Sequence, residues 1–215
     1  MTNPIFISGI STDVGKTVVS AILAEALEAH YWKPVQAGDL ENSDSIKVQS
    51  YCSAKVMILP EQFQLSQPLS PHAAAEIDQI QIGLTDFQIP IVPGNFVIEG
   101  AGGLMVPLHS DGLLVIDFIQ ENKWPVVLVS RHYLGSINHT LLSVEVMKKR
   151  QIPIVGIIFV GDENQASESI IAKQTGVPIW GRIPLTSEIN SSFVHEQAEI
   201  WKQNPHLKSF LNQPV

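Results

Sequence analysis

The sequence predicts an α/β fold in which helices flank a doubly wound, mostly parallel β-sheet. Two observations lead to this prediction. Short apolar runs rich in Val and Ile alternate along the chain with segments of helical periodicity, which is the pattern of parallel strands buried on both faces. The first apolar run is followed by a glycine-rich segment and then by a helical pattern, an order that is typical of phosphate-binding loops.

The strands are assigned from β-branched and apolar runs, in chain order. The first run precedes the glycine-rich segment, a short aromatic run ends near Gln36, and a buried run ends on Glu99. The next two runs are rich in Val and Ile, and the last precedes a Gly-Arg-Ile-Pro turn. The predicted strands span residues 5–8, 31–35, 96–99, 126–130, 154–160 and 179–180, with a loop at 60–71.

The helices are assigned from apolar periodicity and from residues that favour helix ends. Pro71 stands where a first-turn proline is tolerated, and Asp111 is assigned as the cap of the fourth helix. The basic residues at 148–150 suit the end of the fifth helix, and Gly176 follows the sixth. The predicted helices span residues 18–29, 44–53, 72–80, 114–121, 138–149, 163–175 and 193–210, the last broken at Pro205.

Length and composition narrow the class of protein. The 215 residues suit one domain spanning 1–215, with the 45% hydrophobic and 16% charged content of a globular chain. The formal net charge of −8 argues against a nucleic-acid partner, because phosphate backbones are bound by clustered Lys and Arg. Cys52 is the single cysteine, so we expect no intrachain disulfide, a reducing cytosol, and a buried or bystander role for this thiol.

Neither targeting nor membrane segments are predicted. No basic segment leads into a long apolar run with a cleavage site, so we expect no signal peptide. No apolar run reaches the ~18 residues that a membrane span requires. We therefore expect a cytoplasmic protein with no membrane partner.

The glycine-rich segment has the layout of a loop that binds nucleotide phosphates. Five residues separate Gly9 from Gly15, where the common pattern has four, and Ile10 stands at the usual position of the first glycine. In this frame Lys16 neutralises β- and γ-phosphate oxygens, and Thr17 ligates Mg²⁺. A glycine-rich turn alone would need neither residue. We therefore expect a fold like that of the P-loop nucleoside triphosphate hydrolases.

Ligands of a doubly wound sheet bind outside the carboxyl ends of its strands. Since the carboxyl ends of parallel strands share one edge, this rule predicts that several connections form a single rim. The rim consists of residues 8–17, 33–38, 99–103, 130–138 and 181–184.

Three rim residues are candidates for chemistry, each with an alternative. Lys33 precedes a proline that keeps its neighbourhood extended, so it could stabilise a transferring phosphoryl group or be a solvated edge lysine. Glu99 ends an apolar strand and could hold Mg²⁺ or be a capping carboxylate; we favour the metal because the loop implies one. Asp44 is a weaker candidate for the same ion, since by itself it resembles a helix N-cap.

Other patterns do not predict a site. The glycines at 100–103 lack the helix that follows a dinucleotide fingerprint. Ser70 with His72, and Ser136 with His139, lack the strained elbow that surrounds nucleophilic serines. The seven His residues show no zinc spacing.

Several of these segments together resemble the dethiobiotin synthetase family, across nearly the whole chain. The five-residue spacing of the loop, combined with a second lysine, is specific to few families. The resemblance rests on GISTDVGKT at 9–17, WKPV at 32–35, NSD at 42–44, SPH at 70–72, VIEGAGG at 97–103, LGSINH at 134–139 and GRIP at 181–184.

The resemblance implies a homodimer that binds MgATP, CO₂ and 7,8-diaminononanoate. A substrate amine captures CO₂ as a carbamate, the carbamate oxygen attacks the γ-phosphate, and the other amine displaces phosphate to close a ureido ring. The implied catalytic residues are Lys16, Lys33 and Thr12; the metal ligands are Thr17, Asp44 and Glu99; the nucleotide-binding residues are Asp13, Val14, Gly15, Lys16, Thr17, Val18, Asp44, Glu99, Gly100, Ala101, Gly102 and Pro184; and the substrate-binding residues are Ala37, Gly135, Ser136, Ile137 and Asn138. The last four would bind the substrate carboxylate at a helix N-terminus across the dimer interface.

The chain departs from the family pattern at three places. Ala37 stands where the family has a hydroxyl residue, so one side-chain contact to substrate is lost. Val160 stands where an Asn recognises adenine, which leaves the preferred base open. The stretch between the first helix and Trp32 is also shorter.

Two other classes share the phosphate-binding loop. Partition and septum-placement ATPases carry an additional lysine at the start of the loop, where this chain has Gly9-Ile10-Ser11, and often end in a basic amphipathic membrane helix. The tail of this chain has Pro205 in its middle and few basic residues. Amidases of cobalamin-type synthesis would need a glutaminase domain of roughly another domain's length.

Overall fold

A computed structural model describes residues 2–212, and its main feature is a seven-stranded sheet. The strands are β1 (Thr2–Gly9), β2 (His30–Trp32), β3 (Val35–Ala37), β4 (Met57–Ile58), β5 (Phe63–Leu65), β6 (Gly94–Gly103), β7 (Val126–Arg131), β8 (Ile154–Val160) and β9 (Ile179–Ile183). The α-helices are α1 (Lys16–Leu27), α2 (Asp44–Tyr51), α3 (Pro71–Ile77), α4 (Val115–Glu121), α5 (Ser136–Lys149), α6 (Gln165–Thr175), α7 (Ser191–Lys202) and α8 (Pro205–Leu211). Single 3-10 turns lie at Leu40–Asn42 and Leu84–Asp86.

The main sheet has the order β4-β2-β6-β1-β7-β8-β9, and each neighbouring pair is parallel. The central strand β1 pairs with β6 on one side and with β7 on the other. Their carboxyl ends therefore share one edge, where the loop after β1 meets the end of β6. The predicted α/β fold with a mostly parallel sheet is confirmed, while the assignment of the chain to one domain stays a prediction.

The central strands are apolar because helices cover them. Ile5, Ile7, Val127 and Val129 are completely buried. Helix α1 contacts β6 and also α7, which closes one side of the sheet. The Trp32 ring stacks on Phe96 of β6 and meets Phe118 of α4 edge-on, which ties β2 to the other side of the core.

The prediction of one strand at 31–35 and a loop at 60–71 is wrong. The chain leaves the main sheet at Lys33 and Pro34, and β3 then pairs with β5 in a separate two-stranded sheet. Pro34 has no N–H to donate to a strand ladder. Its carbonyl instead accepts hydrogen bonds from the N–H groups of Gln62 and Phe63, at 3.1 and 3.0 Å. The turn at Pro34 thereby brings β3 to β5.

Two helix caps differ from the predictions. Asp111 does not cap α4; the backbone N–H of Leu114 donates to Asp117 Oδ2 at 2.8 Å, so the cap carboxylate lies inside the helix. Ser43 caps α2 and Asp44 is its first residue, which leaves the Asp44 carboxylate free for other partners. The predicted break at Pro205 is confirmed, because Pro205 opens α8.

Cys52 has the surroundings of an unreactive thiol. Its Sγ lies 3.4 Å from Ala21 O, and burial raises its pKa to about 12. The predicted bystander role therefore agrees with its environment. Within residues 2–212, no helix combines the length and the apolar character that crossing a membrane requires.

Candidate active site

Two glycines allow the path of the loop between β1 and α1. A Cβ on Gly9 would lie 2.7 Å from Val14 Cγ2 and 2.8 Å from Ser11 O, closer than side chains tolerate. Gly15 has a φ of 95°, which residues with a side chain rarely adopt, and a Cβ there would meet Val160. Both glycines that the sequence singled out are thus required by the backbone.

Lys16 begins α1, at the helix end that favours anions. Its side chain is buried, and its ammonium donates to Ser11 O at 3.1 Å across the loop. Burial lowers the pKa of Lys16, the Glu99 carboxylate opposes that shift, and the Lys33 ammonium adds to it. The two ammonium groups therefore lie close enough to influence each other.

Two carboxylates and a hydroxyl surround the ammonium of Lys33. Lys33 Nζ forms an ion pair with Asp44 and lies 3.4 Å from Glu99 Oε1. The Thr17 hydroxyl donates to the same Glu99 oxygen at 2.8 Å. Burial disfavours the charge on Lys33, but Glu99 and Asp44 outweigh it and raise its pKa. Burial likewise disfavours the charge on Asp44, but Lys33 outweighs it and lowers its pKa.

The register of β2 and β6 explains why Lys33 meets Glu99. Tyr31 of β2 is paired with Val97 of β6 in a parallel ladder. Side chains two residues apart share a face of a sheet. Lys33 directly follows the last pair of this ladder, Trp32 with Ile98, so the register leads it to Glu99, in agreement with the 3.4 Å between Lys33 Nζ and Glu99 Oε1.

These groups line one cavity of about 950 Å³. Most of the site residues predicted from the sequence line it: Thr12, Asp13, Gly15, Lys16, Thr17, Val18, Lys33, Ala37, Asp44, Glu99, Ala101, Gly102 and Pro184. Val14 and Gly100 do not. Val14 is buried beside Gly9, and Gly100 serves packing, since a Cβ there would lie 2.8 Å from the Phe6 ring.

The segment Gly135, Ser136, Ile137 and Asn138 lies outside this cavity, at the start of α5. A single chain therefore does not bring it to the phosphate-binding loop. Its role across a dimer interface stays a prediction.

The structure adds residues that sequence reasoning missed. The Tyr31 hydroxyl donates to Glu99 Oε2 at 2.9 Å, whereas Thr17 donates to Oε1. Burial and then the charge of Glu99 raise the pKa of Tyr31 well above its ordinary value, so the phenol stays a donor. The only sequence signal was its position two residues before Lys33, on the same strand face.

Apolar side chains form the cavity wall that follows β8 and β9. Val160, Ile183, Leu185, Ile189 and Phe193 line it. They come from a strand end, a loop and α7, so no single stretch of sequence reveals them as one surface.

The oxygen donors of Thr17, Asp44 and Glu99 suit a hard cation such as Mg²⁺. Among the described residues, no group of three or more His, Cys, Asp or Glu side chains gathers as a metal-binding cluster. Mg²⁺ at a nucleotide usually takes one or two carboxylates and completes its shell with phosphates and water. Two carboxylates and one hydroxyl are therefore a sufficient protein contribution.

Solved structures share the fold at low sequence identity. A putative plasmid partition protein from Borrelia burgdorferi, bound to AMPPNP, matches with a TM-score of 0.61 at 11% identity over 98% of each chain. The septum site-determining protein MinD from Pyrococcus horikoshii, complexed with Mg-ADP, matches with a TM-score of 0.55 at 16% identity, over 98% of this chain and 93% of that one. At such identities the likeness shows the fold alone.

Sequence comparison is more specific. Residues 3–192 match a family model described as an AAA domain. The ATP-dependent dethiobiotin synthetase BioD of Christiangramia forsetii is 52% identical over 92% of this chain and 95% of its own. The protein of the same name from Agrobacterium fabrum is 43% identical over 97% of both chains. This chain therefore belongs to the ATP-dependent dethiobiotin synthetase family.

Proposed function

We propose that the chain catalyses the ATP-dependent carboxylation of 7,8-diaminononanoate by CO₂ and its closure to dethiobiotin, with release of ADP and phosphate. The observation that carries the proposal is the meeting of Lys16, Lys33 and the Glu99 carboxylate in one cavity. The additional lysine of partition-type switches stands at the start of the loop, whereas Lys33 follows β2 and is buried. A second ammonium in this place suits a reaction in which further negative charge develops.

The first step needs no protein base. A substrate amine attacks CO₂ and loses a proton, forming a carbamate whose oxygen carries the negative charge. Of the cations that line the cavity, Lys16 and Lys33 are the two that we assign to stabilise this charge next to the γ-phosphate. Thr12, at the loop, is the third residue that we assign to this step.

In the second step the carbamate oxygen attacks the γ-phosphorus, and the bond to the leaving ADP oxygen breaks. The protein's contribution to phosphoryl transfer is mainly positioning and charge stabilisation. Thr17, Asp44 and Glu99 would hold Mg²⁺, which would supply positive charge that stabilises the phosphoryl transfer. Lys33, which lies beside both carboxylates, would stabilise the negative charge of the reacting oxygens.

In the third step the second amine attacks the carbamate carbon, phosphate leaves, and the ureido ring closes with loss of a proton. No side chain is required as nucleophile, since both nucleophiles belong to the substrate. The cavity near Ala37 would hold the diamine, with no hydroxyl at that position to contact it.

We also propose that two copies of the chain form the working unit. The start of α5 would then bind the substrate carboxylate from the partner subunit, at a helix end that favours anions. Exposed apolar side chains beside it, Tyr133, Leu134 and Leu142, support an interface on this face.

The direct test mixes the protein with the diamine, bicarbonate and MgATP. We expect ADP and a cyclic urea in equal amounts, with both products dependent on the diamine. Formation of ADP at the same rate without the diamine would contradict the proposal and favour a nucleotide switch.

A further inference from the structure

Tyr31 contacts Glu99 without lining the cavity itself. The tyrosine is 0% exposed and does not line the cavity, so it has no direct access to substrates. Its hydroxyl nevertheless donates a 2.9 Å hydrogen bond to Glu99 Oε2. A buried tyrosine hydroxyl needs a hydrogen-bond partner, and here that partner is a carboxylate that lines the cavity.

The two oxygens of Glu99 have separate partners. Oε1 accepts from Thr17 at 2.8 Å and lies 3.4 Å from Lys33 Nζ, and Oε2 accepts from Tyr31. Because a carboxylate is planar, anchoring one oxygen fixes the direction in which the other points. The Tyr31 hydrogen bond thus aims Oε1 at the place where Thr17, Asp44 and Lys33 meet.

We propose that Tyr31 is a positioning residue, which holds Glu99 Oε2 and thereby directs Oε1 toward Thr17 and Asp44 for divalent cation binding. The proposal rests on the metal role assigned to Glu99 in the proposed function. Without the phenol, a buried Oε2 would lack this donor, and the carboxylate would be free to rotate toward Lys33. Loss of such an outer-sphere partner typically costs about 10- to 100-fold in metal affinity.

The test compares Tyr31→Phe, Glu99→Gln and the unchanged protein, using Mn²⁺ as the probe ion. Electron paramagnetic resonance measures Mn²⁺ binding to the ADP complex, and calorimetry in EDTA measures metal-free ADP binding. We expect Tyr31→Phe to weaken Mn²⁺ binding about tenfold while metal-free ADP binding stays unchanged. Glu99→Gln should weaken Mn²⁺ binding at least as much.

A matched control separates positioning from general destabilisation. Trp180 of β9 is a buried aromatic residue that donates one hydrogen bond, to Val155 O at 2.7 Å. Trp180→Phe removes that donor at the opposite edge of the sheet from β2. We expect it to lower the urea midpoint, as Tyr31→Phe does, without changing the Mn²⁺ affinity.

The dependence of dethiobiotin formation on Mg²⁺ gives a second readout. In Tyr31→Phe the Mg²⁺ concentration for half-maximal rate should rise about tenfold, with kcat restored at saturating Mg²⁺. Two results would overturn the role of Tyr31 without affecting that of Glu99. One is a kcat of Tyr31→Phe that stays low at every Mg²⁺ concentration. The other is a Mn²⁺ affinity that is unchanged in Tyr31→Phe but weakened in Glu99→Gln. Unchanged Mn²⁺ affinity in Glu99→Gln would overturn the metal role of Glu99 as well.

Discussion

The hydroxyl of Thr17 donates a hydrogen bond of 2.8 Å to Glu99 Oε1, joining residues 82 positions apart. The start of α1 and the carboxyl end of β6 are thereby connected at one point. Because the same oxygen faces Lys33, the phosphate-binding loop, the acid-bearing strand and the second lysine form one polar unit. A change to any of them should affect the others.

Replacement of Thr17 tests this unit first. Thr17→Ala removes the proposed hydroxyl ligand of Mg²⁺ and also the hydrogen-bond donor to Glu99. Loss of an outer-sphere partner alone costs about 10-fold, so the Mg²⁺ concentration for half-maximal rate should rise by at least that factor. Thr17→Ser keeps the hydroxyl and should stay near the unchanged protein. Steady-state rates over a Mg²⁺ titration measure both, and equal behaviour of the two variants would argue against the ligand role.

Lys33→Ala should reduce turnover far more than nucleotide binding. Removal of a single charge-stabilising group typically costs about 10²- to 10³-fold in kcat. The free energy of unfolding should also fall by about 3 kcal/mol, since the Glu99 and Asp44 charges would lose their buried partner. Kinetics, ADP calorimetry and urea unfolding measure the three effects.

Lys55→Ala is the matched control for that variant, because Lys55 pairs with Glu28 on the surface. It should leave kcat unchanged and affect stability little, as exposed ion pairs do. Turnover of Lys33→Ala at the level of this control would remove Lys33 from the mechanism.

Much of the fold follows from local sequence patterns. The Val- and Ile-rich strands and the loop glycines have strong short-range signals, and the structure agrees with them. The small sheet of β3 and β5 has no such short-range signal, because its pairing depends on the turn at Pro34 and on a partner strand far along the chain. The prediction that Asp111 caps α4 was wrong for a similar reason. The Leu114 N–H donates to Asp117, which lies within the helix, and not to Asp111.

Some residues of the candidate site could likewise be predicted from local sequence, and others could not. Lys16 and Thr17 belong to a contiguous motif, and Glu99 is marked by its place at the end of an apolar run, although β6 continues to Gly103. The contact of Tyr31 with Glu99 depends on the register between β2 and β6, which no single segment encodes. Phe193 of α7 joins the cavity wall only through the tertiary fold.

Acid should weaken the ion pair of Lys33 and Asp44. The folded pKa of Asp44 lies below its ordinary value, because Lys33 outweighs the effect of burial. The pair therefore stabilises the fold fully above the unfolded pKa of about 3.9, and this contribution is lost as the pH falls through the lower folded pKa. Urea unfolding from about pH 6 to about pH 3 should show the advantage of the unchanged protein over Asp44→Asn shrinking below about pH 4. A constant difference would contradict the pairing.

The cavity wall around Val160 should discriminate weakly among nucleotide bases. Val160, Leu185 and Phe193 offer packing only, and the Thr186 hydroxyl is bonded to the Glu188 backbone at 2.9 and 3.3 Å. Hydrophobic surfaces discriminate by about 100-fold or less, whereas sites that hydrogen-bond a substrate reach about 10⁴-fold. Values of kcat/KM for ATP, GTP, CTP and UTP should fall within about 100-fold of one another. A preference for ATP above about 10⁴-fold would show that backbone groups read the base.

The face around Leu134 should hold two copies of the chain together. Leu134 is fully exposed beside Tyr133, directly before the α5 start that lies outside the cavity of its own chain. Leu134→Asp places a charge on this apolar surface, so sedimentation should show a shift from dimer to monomer. The KM for the diamine should rise, while ADP binding to the phosphate-binding loop persists. Ile200→Asp, on the exposed side of α7, is the control and should leave the dimer intact. A dimer that survives Leu134→Asp, or an unchanged protein that is monomeric at full activity, would exclude a partner contribution from this face.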